Sequence, residues 1–191
     1  ATVVVGGCDN LAHSAQTFVG GGNNNRVSGS CSVIVGGLSG CNTASNAGIV
    51  GGWGNCTTGA FSFIGGGLEN YVNDAYGVVA GGRCNVNTGE DAFIGGGCGL
   101  SAIGDRSFAG AGCFNVAAGT CSTVVAGLSN IAATSNSFVG GGKQNRAVAQ
   151  AAITIAGGNA NCSTGACAFI GGGDTNQSLG TGTVVAGGGF N

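Results

Sequence analysis

The sequence predicts an all-β chain folded as a parallel β-solenoid, a β-roll or β-helix, of about 13 coils. Three observations carry this. A 15-residue unit, small-small-[Phe/Val]-[Val/Ile]-[Gly/Val/Ala]-Gly-Gly-x-x-Asn-x-x-x-Gly-x, recurs from residue 1 to residue 191. Of the 191 residues, 44 are glycine and none is proline. Between the glycines stand short runs of Val, Ile and Phe, which favour strands over helices. A unit this short cannot bury its own apolar face and must stack on its neighbours. The copies follow one another without a linker, so residues 1–191 are expected to form a single repeat domain.

Each coil reads in order. Positions 2 to 5 form a strand, as in Val33, Ile34 and Val35 or Phe63 and Ile64. Glycines at positions 5 to 7 turn a corner where the backbone needs φ > 0 or a close approach to the next coil. Position 10 is an asparagine file: Asn10, Asn25, Asn55, Asn70, Asn85, Asn115, Asn130, Asn145, Asn161, Asn176 and Asn191, with Gly40 and Leu100 in the two missing slots. Its carboxamides are expected to bond from coil to coil and to the turn backbone, with asparagine tolerating the left-handed conformation. A second turn falls at position 14. The phase slips once, by one residue near Ala151. Proline would remove a donor from the ladder, which explains its absence. At about 4.8 Å per coil, the array is expected to make a rod on the order of 60 Å long. Residues 51–70, 81–100 and 157–176 resemble one another more than adjacent copies do, which suggests a 30-residue duplication unit.

Side chains alternate along a strand, so position 4 faces away from positions 3 and 5. Position 4 is the most uniform apolar file, from Val4 through Ile64 to Val185, and is assigned to the interior. Positions 3 and 5 are apolar too, and their bulk is compensated: Phe18, Phe63, Phe93, Phe108, Phe138 and Phe169 at position 3 are each followed by glycine at position 5. A strand apolar on both faces is as a rule buried on both. The six phenylalanines are therefore candidates for an oligomer interface. The opposite assignment, with positions 3 and 5 inside, leaves the Val/Ile file as the outer stripe; either way the stripe exceeds what a monomer normally exposes.

Five Lys/Arg and seven Asp/Glu give a net charge of −2. No basic patch exists to neutralise phosphates, which excludes nucleic acid as a partner, and no apolar run approaches the length of a spanning helix. Ten cysteines suit an oxidising, extracellular setting. Ala1 opens without a basic and apolar leader and reads as the start of a mature chain or excised segment. Cys41 and Cys56 share position 11 of consecutive coils, and Cys98 and Cys113 share position 8, so both pairs fall within the Cα window of a disulfide. Cys162 and Cys167 flank a turn and form a third candidate pair. Cys8, Cys31, Cys84 and Cys121 have no adjacent equivalent. With no C-x-x-C and one histidine, His13, read as a solvent-facing loop residue, no metal, cofactor or catalytic residue is expected. Lys143 follows three glycines without phosphate-loop spacing, so no enzyme is expected. The sequons at Asn55, Asn161 and Asn176 fall in the ladder and read as structural.

The runs Ser62-Phe63-Ile64-Gly65-Gly66-Gly67 to Asn70, and Ser137-Phe138-Val139-Gly140-Gly141-Gly142 to Asn145, resemble the β-roll head repeats of trimeric autotransporter adhesins and related viral or phage fibre segments. The resemblance implies left-handed coils, trimerisation through an apolar face and adhesion at a cell or virion surface, with a surface receptor or glycan as partner. The expectation is an extracellular structural or adhesive fibre module associating with further copies of itself, as a trimer or end to end as a filament through uncapped terminal coils. The alternative from another class is an ice-binding solenoid. It would use the hydroxyl file at position 2, Thr2, Thr17, Ser32, Ser62, Ser107, Ser122, Ser137 and Thr183, which Ala47, Gly77, Ala92, Ile153 and Ala168 interrupt. Carbohydrate binding through Trp53, Tyr71 and Tyr76 is a third reading, weakened because these fall in different files.

Overall fold

Nearly every coil contributes two short strands, joined by corners, and within each compact unit a strand pairs in parallel with its equivalent one repeat later. A computed structural model describes residues 1–190. Among them there is no helix, and the architecture is a parallel β-solenoid of about 12 turns with a repeat of about 15 residues. Asn191, the last of the predicted asparagine file, lies outside the described residues. The chain divides into two compact units, Ala1–Gly97 and Cys98–Asn191, built to one coil plan.

In the first unit, one sheet is formed by Thr2–Val4, Thr17–Val19, Val33–Ile34, Gly48–Ile49, Phe63–Ile64, Val78–Val79 and Phe93–Ile94. The second runs through Leu11–Ala12, Arg26–Val27, Cys41–Asn42, Cys56–Thr57, Tyr71–Val72 and Val86–Asn87. The second unit repeats this with Phe108–Ala109, Thr123–Val124, Phe138–Val139, Thr154–Ile155, Phe169–Ile170 and Val184–Val185 in one sheet. Its other sheet runs from Ser101–Ala102 to Gln177–Ser178. A third line of single bridges joins position 8 of successive coils, as in Leu38 to Trp53 and Leu128 to Lys143.

The sequence reading gave one strand per coil, and the strand at positions 11 and 12 is an addition to it. Position 12 supplies a small inward residue and position 11 an outward one of almost any kind, which leaves no alternation to read.

The files at positions 2, 4, 10 and 12 point inward, and position 14, mostly glycine, is buried with them in most coils. Val19, Ile34, Ile49, Ile64, Val79, Ile94, Val124, Val139, Ile155 and Ile170 of position 4 are buried. The asparagines from Asn25 to Asn176 lie beside them, also buried. A polar file is tolerated inside because its bonds are complete. The Nδ2 of Asn25 donates to the Gly21 carbonyl at 3.0 Å and to the Gly37 carbonyl of the next coil at 2.8 Å, and its Oδ1 accepts the Gly40 N–H at 2.8 Å. The bonding role expected of this file is the one found.

Its expected backbone role is not. The left-handed residue is the one before each asparagine: position 9 has φ between 52° and 64°, whether it is Asp9, Asn24, Glu69, Phe114 or Ala160. A second left-handed residue stands at position 1, from Gln16 to Cys167. Both are corners where the side chain projects outward, so the modest cost of this conformation is not compounded by a clash. Position 7 differs. It is glycine in every coil, because a Cβ on Gly22 would sit 2.1 Å from the Gly37 carbonyl oxygen and 2.7 Å from the Asn25 Nδ2.

The extra residue near Ala151 is absorbed in the corner between the two sheets. Ala149 and Ala152 both take positive φ there, and beyond it Phe138 pairs with Thr154 and Arg146 with Cys162 in unbroken register.

Candidate functional site

In each unit, the outer face of the sheet that carries the Phe file is the candidate site. Positions 3 and 5 project from it, as the alternation requires, and the Val/Ile file is inside. Phe18, Phe63, Phe93, Phe108, Phe138 and Phe169 are each between 37% and 42% exposed. Three of them lie close over the glycine two residues on: a Cβ on Gly20 would meet the Phe18 ring at 3.2 Å, one on Gly110 the Phe108 ring at 2.9 Å, and one on Gly140 the Phe138 ring at 3.2 Å. The nearer obstacle to such a Cβ is the carbonyl oxygen of the next coil, Val35 or Val125 at 2.3 Å and Ala156 at 2.4 Å, so the glycine clears both the neighbouring backbone and the ring.

Two properties set this face apart. None of the chain's twelve charged residues occupies positions 2 to 7 of any coil; all fall at positions 8, 9, 11, 14, 15 or 1. The outer face of the second sheet, by contrast, carries Arg26 and Arg146 at position 11. The Phe face is also corrugated. In the second unit its position 3 reads Phe108, Thr123, Phe138, Thr154, Phe169 and Val184, so raised coils alternate with low ones. The first unit has the same motif with one low coil extra, at Gly48.

The hydroxyl file at position 2 is not a surface. Thr17, Ser32, Ser62, Ser107, Ser122 and Ser137 are buried. They face the core. Thr17 Oγ1 donates to the Ser14 carbonyl at 2.8 Å, Ser32 Oγ accepts the Ala47 N–H of the next coil at 3.1 Å, and Ser62 pairs with the Thr57 hydroxyl, while the Oγ atoms of Ser107 and Ser122 are buried without a partner. Position 2 therefore presents no continuous hydroxyl array at the surface. Alternation already placed position 2 on the side of position 4; the small polar side chains had suggested solvent.

Cys41, Cys56, Cys113, Cys162 and Cys167 are thiols. Cys41 and Cys56 stand in register on adjacent strands, and Cys98 and Cys113 in register at position 8, as their shared positions required. No disulfide joins either pair, nor Cys162 to Cys167. The Cα window is met, but in-register parallel strands also hold the Cβ atoms at the ladder spacing of about 4.8 Å, whereas a disulfide brings them to roughly 3.5–4.5 Å. Cys162 is half-buried on a strand while Cys167 is exposed at a left-handed corner. Burial, with Cys41 alongside, pushes the Cys56 thiol up to about 12. Cys8 is exposed, and its thiol is raised by a hydrogen bond to the Asp9 carboxylate.

The remaining singled-out residues do not converge. His13 is exposed and lines a shallow depression of about 200 Å³ with Leu11, Arg26, Cys41 and Thr43. Trp53 lies at position 8, Tyr71 at position 11, and Tyr76 at position 1, where its ring stacks on Phe61 with centroids 5.1 Å apart. The sequon residues Asn55, Asn161 and Asn176 are buried in the ladder. Among the described residues no three His, Cys, Asp or Glu side chains come together, and no helix is long and apolar enough to cross a membrane. No protein-family model and no curated protein sequence matches the chain.

Proposed function

We infer that the chain is an extracellular structural or adhesive fibre module that associates with further copies of itself through the outer face of its first sheet. The observation that carries this is the Phe file: exposed rings, glycines cleared beneath them, and no charge on positions 2 to 7 of any coil. A parallel sheet is normally covered on both faces, and an uncharged apolar stripe of this kind marks an interaction surface. Such a module works by repetition and stiffness. Each coil is bonded through its backbone to its neighbours, and among the described residues no three His, Cys, Asp or Glu side chains come together. The adhesin-like repeats support a surface location, with a receptor or glycan bound by the assembled fibre. Negative-stain imaging of the native protein tests the reading. Rods wider than one solenoid, or filaments, are expected; a field of single, thin particles at high concentration would contradict it.

A further inference from the structure

Cys41 and Cys56 present an arrangement that the fibre reading leaves unused. They occupy the same position of adjacent strands, directly in register, on the outer face of the second sheet. Both are half-buried. Parallel strands hold them side by side and pointing the same way, about 4.8 Å apart, which resists the roughly 2.05 Å sulfur–sulfur bond of a disulfide.

The same spacing suits a different bridge. A zinc–thiolate bond is about 2.3 Å long, and with bonds of about that length to a soft monovalent ion two in line span about 4.6 Å, close to one ladder step. The two bonds would run along the ladder, roughly at right angles to the Cβ–Sγ bonds, an angle that divalent sulfur accepts without strain. The geometry points to a two-coordinate dithiolate site for a soft monovalent cation, with Cu(I) and Ag(I) as the fitting ions. Thiolates select soft ions, and a linear site needs no third ligand, in keeping with the lack of any three-ligand cluster among the described residues.

The binding step balances without electron transfer. Two S–H bonds break, two S–metal bonds form, and two protons leave to solvent. The product carries one negative charge, and the neighbour on the preceding strand of the ladder is the cationic Arg26, in register with Cys41 and lining one depression with it. Tyr71 follows Cys56 on the other side. Cys98 and Cys113 repeat the arrangement at position 8, in register and half-buried, and form the second such site.

The test is native mass spectrometry of the reduced full chain titrated with Ag(I), and with Cu(I) against a chromophoric competitor. Two ions retained per chain are expected, falling to one in Cys41→Ser/Cys56→Ser and to one in Cys98→Ser/Cys113→Ser. Serine already stands at position 11 as Ser101, so the first variant is expected to keep the wild-type circular dichroism. Cys31→Ser/Cys121→Ser, which removes two exposed thiols lacking an in-register cysteine, is expected to leave both ions in place. Three results would each overturn the proposal: no ion retained, a count that falls equally whichever cysteines are changed, or rapid quantitative formation of a Cys41–Cys56 disulfide under mild oxidation. None of these bears on the Phe face.

Discussion

The backbone N–H of Asn70 donates to the Oδ1 of Asn55 at 2.9 Å, and the Nδ2 of Asn70 reaches the same oxygen at 3.1 Å. One carboxamide oxygen thus receives two donors from the coil above, while its own Nδ2 ties two glycine corners together. The file is a polar spine inside an otherwise thin core of Val, Ile, Ala and Ser.

Asn70→Ala would remove the bonds to the Gly66 and Gly82 carbonyls, at 3.0 and 2.9 Å, and leave the buried Asn85 N–H without the acceptor it has at 3.1 Å. The expected cost is about 3 kcal/mol, that of an unsatisfied buried donor plus the lost bonds. Gly40→Asn is expected to act in the opposite sense. Gly40 already donates to Asn25 at 2.8 Å and has no positive φ, so an asparagine there can join the spine and add about 1 kcal/mol. Chemical denaturation of both variants checks the pair.

Glycine at position 7 and the residue at position 9 are both left-handed, yet they should respond differently to substitution. Gly142→Ala would place a Cβ 2.0 Å from the Gly158 carbonyl oxygen and is expected to cost at least about 3 kcal/mol. Gln144→Gly, at φ 56° on an exposed corner, is expected to be neutral or to stabilise by up to about 1 kcal/mol. Thermal unfolding of the two variants measures the contrast.

Asn87 is an inward residue at position 12 whose Nδ2 bonds the Ala92 and Val78 carbonyls at 2.7 and 3.2 Å, while its Oδ1 is buried without a partner. The Ala92 carbonyl also accepts the Val78 N–H at 3.0 Å and so keeps a donor without the side chain. Val72 fills the same position one coil earlier and is fully buried. Asn87→Val is therefore expected to leave stability unchanged or raise it by about 1 kcal/mol. A loss above about 1 kcal/mol in denaturant titration would assign Asn87 a bond that this geometry does not show.

Patterns that repeat in kind were legible in the sequence. Position 4 is Val or Ile in nearly every coil, and Phe with Gly trades against Val with Val or Ala, so the interior file and the outer file could both be read by parity. The asparagine spine was legible for the same reason. Features that repeat in backbone but not in chemistry were hidden. Position 11 runs through Leu11, Arg26, Cys41, Tyr71 and Gln177 because it faces outward, so the second strand left no signature. The left-handed corners at positions 9 and 1 accept Asp9, Phe114 and Cys167 alike. The inward turn of position 2 was hidden because Ser and Thr commonly face water; here Thr17 and Ser32 bond backbone groups at the corner, and Ser107 and Ser122 are buried without a partner. The cysteine register was legible, but the Cα spacing alone did not reveal that parallel side-chain vectors oppose a disulfide.

The central claim is that the chain associates through its Phe face, and sedimentation equilibrium of the wild type beside Phe63→Lys/Phe138→Lys tests it most directly. Each unit contributes one of these rings, both exposed at about two-fifths of their surface, so lysine at either site adds charge to the face without entering the core. The wild type is expected to sediment as an oligomer and the variant as a folded monomer of 18.0 kDa. A wild type that sediments as an 18.0 kDa monomer at high concentration, or a variant that associates as strongly as the wild type, would contradict the account.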